Sequence, residues 1–414
     1  MVLSKFRWLE PINAALQVAV LVTIPVEPKS INNVLIILWC LTSLLAFNRT
    51  RYNENRIRFV APFILYFVIL MIGLLLGPDP FSRNARLFVE ARISFLILPF
   101  FLLISQPVNI DRAMKWFAGI STVLCLVCLG GAIIKNFNYN QLHDLDPLYV
   151  NPWFFTYFLY ADHVQLHPTY FGMFLMSSIV FLLGWRREAP LSGYHWILIA
   201  FLGLNLVALM SRLIIGLMAV YFCFFLLFGF RARLRSKLAI ALGGAVLLVA
   251  VALNPVAQKR IRDTFENDSA TFSGTNLKVR MWTALYEEVI SVHPLAGIGP
   301  VNVDHIVRHA YSRHGLVEPA EQNYNSHNQY IEAWVHHGLF GLFSLLLLYG
   351  YYFYVGVSRR NHLMIVAMLV IIVASITESL LMRQKGILFL SFFIPFVYLN
   401  STKHDPLSHD LAEE

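Results

Sequence analysis

The stretch from 327 to 341 reads His327-Asn328-Gln329-Tyr330-Ile331-Glu332-Ala333-Trp334-Val335-His336-His337-Gly338-Leu339-Phe340-Gly341. It lies between a long polar segment, residues 255–326, and an apolar run that ends near Val357. A helix that spans a bilayer needs about 20 mostly apolar residues, so this junction predicts a membrane helix that begins close to His327. The imidazole of His327 then stands at the water-facing end of the helix, whereas His336 and His337 lie further along it and face a helix bundle.

The whole chain has the composition of a membrane protein. Of its 414 residues, 57% are hydrophobic and only 14% are charged, against about a quarter charged in soluble domains. Only helices and closed barrels span a bilayer, and the alternating pattern of a barrel is absent. The sequence therefore predicts an all-α, polytopic protein with a single integral membrane domain over residues 1–414. About twelve spans are predicted, at 11–25, 31–47, 59–77, 88–104, 116–134, 168–184, 195–210, 213–230, 238–254, 328–356, 363–381 and 386–400.

The distribution of lysine and arginine predicts the orientation of these spans. Both residue types are concentrated in one set of connections, as at Arg231, Arg233, Arg235 and Lys237, and are sparse in the other set. Basic residues favour the cytoplasmic side, so both termini are predicted to be cytoplasmic and a large loop, 255–327, to lie outside. The net charge of +8 is explained by this topology and does not require a nucleic-acid partner.

The outer loop contains the pattern of an amphipathic helix. Apolar residues recur at helical spacing through Leu277, Met281, Trp282, Leu285 and Val289. This pattern predicts a helix that ends near residues 293–294, before a turn rich in glycine and proline. The apolar stripe is explained by docking on the helix bundle or on the membrane surface.

Three outer positions carry arginine or lysine that could meet an anion. Arg280 lies off the apolar stripe, and its alternative explanation is a solvated charge. Arg212 splits a long apolar stretch at a predicted tight turn, where an arginine is costly unless it snorkels to water or contacts an anion. Arg383 and Lys385 lie at another outer turn, with Glu378 just inside the preceding helix. For these two, an ion pair or a contact with lipid phosphate is the alternative explanation.

The sequence offers no signature of a bound metal or nucleotide. The histidines are scattered, without a metal-binding helix motif, and neither a P-loop nor a dinucleotide-binding glycine motif occurs. All four cysteines lie within apolar runs, where they are predicted to be core residues. A membrane enzyme of this kind must take the energy for its reaction from the substrate itself.

At residues 327–341 the chain resembles the bacterial lipopolysaccharide O-antigen ligases. Their superfamily also includes O-antigen polymerases and some protein O-oligosaccharyltransferases. The shared pattern is histidine, then asparagine, serine or glutamine, nine residues, glycine, two residues, and glycine, threonine or tyrosine. His327, Asn328, Gly338 and Gly341 match it at every position. The resemblance covers roughly residues 195–400 and includes further matching segments at Ser211-Arg212, Arg280-Met281-Trp282, His293-Pro294-Leu295 and Gly297-Ile298-Gly299-Pro300.

The resemblance implies a metal-independent, inverting glycosyl transfer at the periplasmic face of the bacterial inner membrane, without a cofactor. The implied donor is O-antigen on undecaprenyl diphosphate, and the acceptor is a sugar hydroxyl of lipid A-core. His327 is assigned as the base, because histidine exchanges protons near neutral pH. Arg212 and Arg280 are assigned to the donor diphosphate. Further predicted substrate contacts are Asn328, Arg383 and Lys385.

Two other functions are weighed against ligation. An O-antigen polymerase or a protein O-oligosaccharyltransferase shares the donor chemistry and differs in the acceptor. A lipid-glycan transporter without enzymatic activity predicts charged residues at mid-membrane in several spans. Only Glu90 and Arg92 come near that pattern, so the sequence favours an enzyme. Because both substrates are lipids, a cleft that opens sideways to the bilayer is expected.

Overall fold

The computed structural model of the chain is built from helices and turns. It describes residues 8–46, 54–184, 192–228, 275–301 and 303–401, with a few further residues between 235 and 259. No strand occurs in these ranges, which confirms the all-α class for this part of the chain. The predicted span at 238–254 lies largely outside the described residues.

Within the described residues, seventeen α-helices have defined bounds and are numbered in chain order. The first ten are α1 Leu9–Thr23, α2 Lys29–Leu45, α3 Glu54–Leu76, α4 Arg83–Arg92, α5 Ser94–Ile104, α6 Ile110–Leu142, α7 Tyr157–Ala161, α8 Pro168–Leu183, α9 Gly193–Ala208 and α10 Arg212–Phe228. The others are α11 Thr275–Leu285, α12 Val303–Arg313, α13 Val317–Glu321, α14 Gln329–Ser358, α15 His362–Ala374, α16 Gln384–Leu388 and α17 Ile394–Ser401. Five-residue π-helical segments extend α11 through Ile290 and join α16 to α17.

Several of these helices are long and apolar enough to cross a bilayer. Four qualify among the described residues, at Ile57–Leu76, Arg83–Ile104, Ile110–Leu142 and Gln329–Ser358, and a fifth if the bent pair Tyr157–Val164 and Pro168–Leu183 forms one span. Shorter apolar helices include α1, α2, α9, α10 and α15. The chain is therefore a multi-pass helical membrane protein, while the number twelve and the periplasmic position of the large loop stay predictions.

The predicted fourth span, 88–104, lies within the candidate span Arg83–Ile104, in which a one-residue turn at Ile93 separates α4 from α5. A later predicted boundary is wrong. The helix predicted over 363–381 ends at Ala374, so Glu378 lies in the turn after it and not inside it. The last carbonyls of α15 have other partners: Ile372 accepts from the hydroxyl of Tyr330 at 2.8 Å, and Ser375 accepts from the backbone N–H of Gln329 at 2.8 Å. These bonds replace those that a longer helix would make.

Contacts divide the chain into two compact units. The first comprises Met1–Ile24, Asn33–Ile110 and Phe272–Glu414, and the second comprises Pro25–Asn32 and Asp111–Thr271. The single integral membrane domain over 1–414 stays a prediction beside this division. In the first unit α14 packs along α3, where the hydroxyl of Tyr352 donates to the carbonyl of Phe59 at 2.6 Å.

The second unit contains α6 to α10. Helix α6 has 33 residues, which at 1.5 Å per residue gives about 50 Å, well beyond the hydrocarbon core of a bilayer. Its last turns bind the following loop, because Asn136 and Asn140 both donate to the carbonyl of Tyr149 at 2.7 Å. Helix α9 ends at Ala208 and α10 begins at Arg212, so the predicted tight turn between these two apolar helices is confirmed.

Candidate active site

His327 lies immediately before α14, in a loop with a constrained backbone. Its φ angle is +48°, a left-handed conformation that is uncommon for residues other than glycine, although asparagine, aspartate and histidine adopt it more often than the rest. The side-chain oxygen of Asn325 accepts from the backbone N–H of His327 at 3.0 Å. The side chain of His327 is 34% exposed, so the loop presents a partly accessible imidazole at the start of the helix, as predicted.

Glu378 and Lys278 surround one side of this imidazole. The Nδ1 atom of His327 lies 3.6 Å from Oε2 of Glu378. The other carboxylate oxygen lies 4.0 Å from Nζ of Lys278, which also donates to the carbonyl of Thr377 at 2.6 Å. A carboxylate beside Nδ1 favours the tautomer whose basic nitrogen is Nε2. The 3.6 Å separation exceeds a hydrogen bond.

Tyr324 closes another side of His327. Its ring packs edge-on against the imidazole, with centroids 5.8 Å apart. Its hydroxyl donates to the carboxylate of Glu318 and to the amide oxygen of Gln322, each at 3.0 Å. Burial, followed by the bond to Glu318, raises the pKa of Tyr324. Its hydroxyl therefore remains protonated near neutral pH and acts as a hydrogen-bond donor.

Helix α11 supports the loop of His327 from the side. The indole Nε1 of Trp282 donates to the carbonyl of Ser326 at 2.8 Å. Lys278 lies four residues earlier, on the same face of the helix, and this face also carries the buried Met281 and Leu285. The amphipathic pattern thus predicted the helix correctly. It did not identify Lys278 as a contact of Glu378, because the spacing of four from Trp282 shows only that the two residues share a helix face.

One of the two motif glycines, Gly338, explains how α14 is bent. Gly338 has φ 62° and ψ −159°, which interrupts the helix. The carbonyls of Val335 and His336 are thereby free to accept from the backbone N–H groups of Ile298 and Gly299, at 2.9 and 3.0 Å. A Cβ at Gly338 would overlap the carbonyl of Leu295, and one at Gly341 would overlap the side chain of His337. Gly338 therefore lets the turn at 294–299 dock on the backbone of α14, and Gly341 leaves room for the side chain of His337.

The other predicted site residues fall in several places. Asn328 caps α14, since its side-chain oxygen accepts from the N–H groups of Tyr330 and Ile331 at 2.9 and 3.1 Å. Arg280 is exposed on α11 and donates to the carbonyl of His314 at 3.4 Å. This contact lies on a different face of α11 from Lys278. The structure therefore brings His327 together with Glu378, Lys278 and Trp282.

The remaining predicted cations differ in exposure. Arg212 is exposed in the first turn of α10, in the second unit. Arg383 is exposed at the residue before α16. Lys385 is only 4% exposed, so its side chain points into the protein, whereas a contact with lipid phosphate was one alternative predicted for it. The roles of these three residues, and those of Arg280 and Asn328, in substrate binding stay predictions.

An apolar pocket of about 580 Å³ lies between the C-terminal end of α3, the turn at 294–299 and α14. Its wall includes Ile72, Leu76 and Phe340, which are exposed, together with the buried His337 at the level of the kink. Nδ1 of His337 makes no hydrogen bond within the described residues. In the same residues, no group of three histidine, cysteine, aspartate or glutamate side chains is placed to hold a metal ion.

The fold and this site define a multi-pass helical membrane protein with a histidine–carboxylate pair at the start of one helix. The model of the family described as O-Antigen ligase matches residues 197–346. That segment contains most of α9, all of α10 and α11, His327 and the bent part of α14. This match supports membership of the O-antigen ligase superfamily and agrees with the resemblance found in the motifs. No curated protein matches the chain.

Proposed function

We propose that the protein is an O-antigen ligase that transfers a glycan from undecaprenyl diphosphate to a sugar hydroxyl of lipid A-core. The observation that carries the proposal is the pairing of His327 with Glu378 at the start of α14, in a chain whose family segment reaches this helix. The family supports a glycosyltransferase activity. The donor, the acceptor and the periplasmic face of the inner membrane as the place of reaction are part of the proposal.

In the proposed reaction His327 is the general base. The acceptor hydroxyl oxygen bonds to the anomeric carbon as the bond from that carbon to the diphosphate oxygen breaks. The hydroxyl proton passes to His327, and the bonding electrons leave with the diphosphate. Attack from the face opposite the leaving group inverts the anomeric carbon. Glu378 keeps the imidazole oriented and stabilises the imidazolium that forms.

Arginines are assigned to the leaving group. Charge grows on the diphosphate as its bond to the sugar breaks, and a guanidinium can donate two parallel hydrogen bonds to such an anion. Arg212 and Arg280 take this role in the proposal, with Asn328, Arg383 and Lys385 as further substrate contacts. The exposure of Arg212, Arg280 and Arg383 supports the assignment, because an exposed guanidinium is accessible to a substrate.

The apolar pocket supports a lipid-linked donor. Its exposed wall belongs to α3 and α14, both of which qualify as membrane spans. A hydrocarbon chain that enters from the outer leaflet would bury apolar surface there at roughly 25 cal/mol per Å². The pocket therefore matches the expected sideways opening for a substrate that remains dissolved in the bilayer.

The alternative within the superfamily is an O-antigen polymerase or a protein O-oligosaccharyltransferase, which differs only in the acceptor. Deletion of the gene separates these functions. Loss of a ligase leaves lipid A-core without O-antigen while polymerised glycan accumulates on the carrier lipid. Loss of a polymerase leaves lipid A-core carrying single repeats, and this outcome would contradict the proposal. Restoration of capping by a plasmid-borne copy is the control.

A further inference from the structure

The carboxylate of Glu332 joins three segments of the first unit. Its side chain is 8% exposed. Oε2 accepts from the hydroxyl and the backbone N–H of Ser326, at 2.6 and 3.2 Å, and from the hydroxyl of Ser379 at 3.2 Å. The other oxygen lies 3.1 Å from Nε2 of His336, one turn along α14. A buried carboxylate is costly unless it is paired and hydrogen-bonded, and here Oε2 accepts from three donors while Oε1 lies close to the imidazole of His336.

The two serines that donate to Glu332 are sequence neighbours of the histidine–carboxylate pair. Ser326 directly precedes His327, and Ser379 directly follows Glu378. A single buried carboxylate thus binds the neighbours of both members of the histidine–carboxylate pair. A second hydrogen bond connects the same two segments: the backbone N–H of Leu381 donates to the side-chain oxygen of Gln329 at 2.6 Å. The separation of His327 and Glu378 therefore depends on bonds made by the first turn of α14.

We propose that Glu332 is a positioning residue for transfer. It holds the loop of His327 against the turn of Glu378 through Ser326 and Ser379, and thereby sets the distance between Nδ1 and Oε2 of the pair. Glu332 is buried and acts through these neighbours, not by contact with the substrate. The inference rests on the proposed function, because it assigns Glu332 to the orientation of the proposed base.

Kinetics of purified variants test this role. Glu332→Ala removes every bond of the bridge, and the resulting misplacement is expected to lower kcat roughly 100-fold while the KM for the lipid-linked donor changes little. Glu332→Gln retains one oxygen that can accept from both serines, and we expect it to keep kcat within about tenfold of wild type. Ser344→Ala is the matched control, since Ser344 is buried in the same helix and its hydroxyl donates to the carbonyl of Gly341, outside the bridge.

A double-mutant cycle distinguishes positioning from a general loss of structure. If Glu332 acts through the pair, Glu332→Ala adds little to the effect of Glu378→Gln, since coupled residues are not additive. Independent multiplication of the two losses would contradict the proposal. Should Glu332→Ala fail to accumulate in the membrane, Glu332→Gln and Ser379→Ala take its place, because each removes only part of the bridge.

Hydrogen exchange provides a readout that does not depend on activity. In Glu332→Ala, the amides of 326–328 and 378–381 are expected to exchange faster than in wild type and in Ser344→Ala, while α17 keeps its protection. Unchanged exchange in these segments would overturn the proposed bridge, and faster exchange with unchanged kcat would overturn the positioning role. Absence of transfer by the wild-type protein would contradict the proposed function, while the exchange result still decides whether the bridge exists.

Discussion

At the scale of single residues, His327 combines an unusual backbone with an accessible side chain. The imidazole contacts Glu378, and the backbone is left-handed. Substitution by alanine would remove the imidazole and also strain the loop, so alanine alone cannot separate the two effects. Asparagine tolerates positive φ, so His327→Asn removes the base and disturbs the loop less.

We predict that His327→Asn and His327→Ala both reach the membrane and both lose transfer by roughly 100- to 10,000-fold, the usual loss when a general base is removed. The measurements are the amount of protein in membranes and the capping of lipid A-core. His305→Ala is the control, since His305 is exposed on α12 in the same loop. Normal capping in His327→Asn would remove His327 from the mechanism.

The arginines differ from His327, because their proposed role is to bind a charge. Lysine keeps the charge but loses the paired hydrogen bonds of the guanidinium. We predict that Arg212→Lys and Arg280→Lys each lower transfer moderately, and that each alanine variant lowers it roughly 100- to 1,000-fold, as for loss of a donor to developing negative charge.

Measurement of kcat and of donor affinity checks this prediction. Arg308→Lys is the control, because Arg308 is also exposed and binds Asn323 through its side chain. If the alanine variants bind and use the donor like wild type, the assignment of Arg212 and Arg280 to the diphosphate is wrong.

At the scale of elements, the bend in α14 depends on Gly338. Its φ and ψ are accessible only to glycine, and the backbone of residues 294–299 occupies the space where a side chain would lie. The same bend frees the carbonyls that bind the turn at 298–299. The motif glycine therefore has a structural reason, separate from any contact with substrate.

We predict that Gly338→Ala destabilises the protein by roughly 2–6 kcal/mol, the combined range for backbone strain and an overpacked contact. Gly350→Ala is the control in the same helix, since a Cβ there meets no atom within 4 Å. Alanine at that helical position is expected to stabilise by about 0.5–1 kcal/mol. Thermal unfolding in detergent measures the change in stability of each variant. Equal melting temperatures for the two variants would show that the bend is not required.

At the scale of the whole molecule, the described residues contain no cluster suited to a metal ion, and the proposed donor already contains a reactive diphosphate bond. We predict that purified protein, carrier-linked glycan and lipid A-core react at an unchanged rate in excess EDTA. The physical reason is that cationic side chains, not a metal, stabilise the leaving charge. Abolition by EDTA with recovery on addition of magnesium or manganese would contradict the prediction, and would direct attention to carboxylates such as Asp304 and Glu318.

Much of the helical architecture was determined by the sequence itself. Apolar runs are sufficient to predict membrane helices because every backbone polar group in a bilayer must be bonded within the helix. The stripe at 277–289 predicted α11 for a similar reason, since its apolar face must be buried. The motif predicted an accessible His327 at the start of α14. These features depend on residues close together in the chain.

Only the tertiary structure decided which side chains meet. Glu378 is 51 positions from His327 in the sequence. Lys278 lies on α11, a third segment of the chain. Their contact depends on where α15 ends, which is set by bonds from Gln329 and Tyr330 to its last carbonyls. The sequence also did not show why position 338 requires glycine. The space that a side chain at 338 would fill is taken by the backbone of the turn at 294–299, which is distant in the chain. Local pattern determines which helices form, whereas contacts between distant segments determine where they end and which polar groups they bring together.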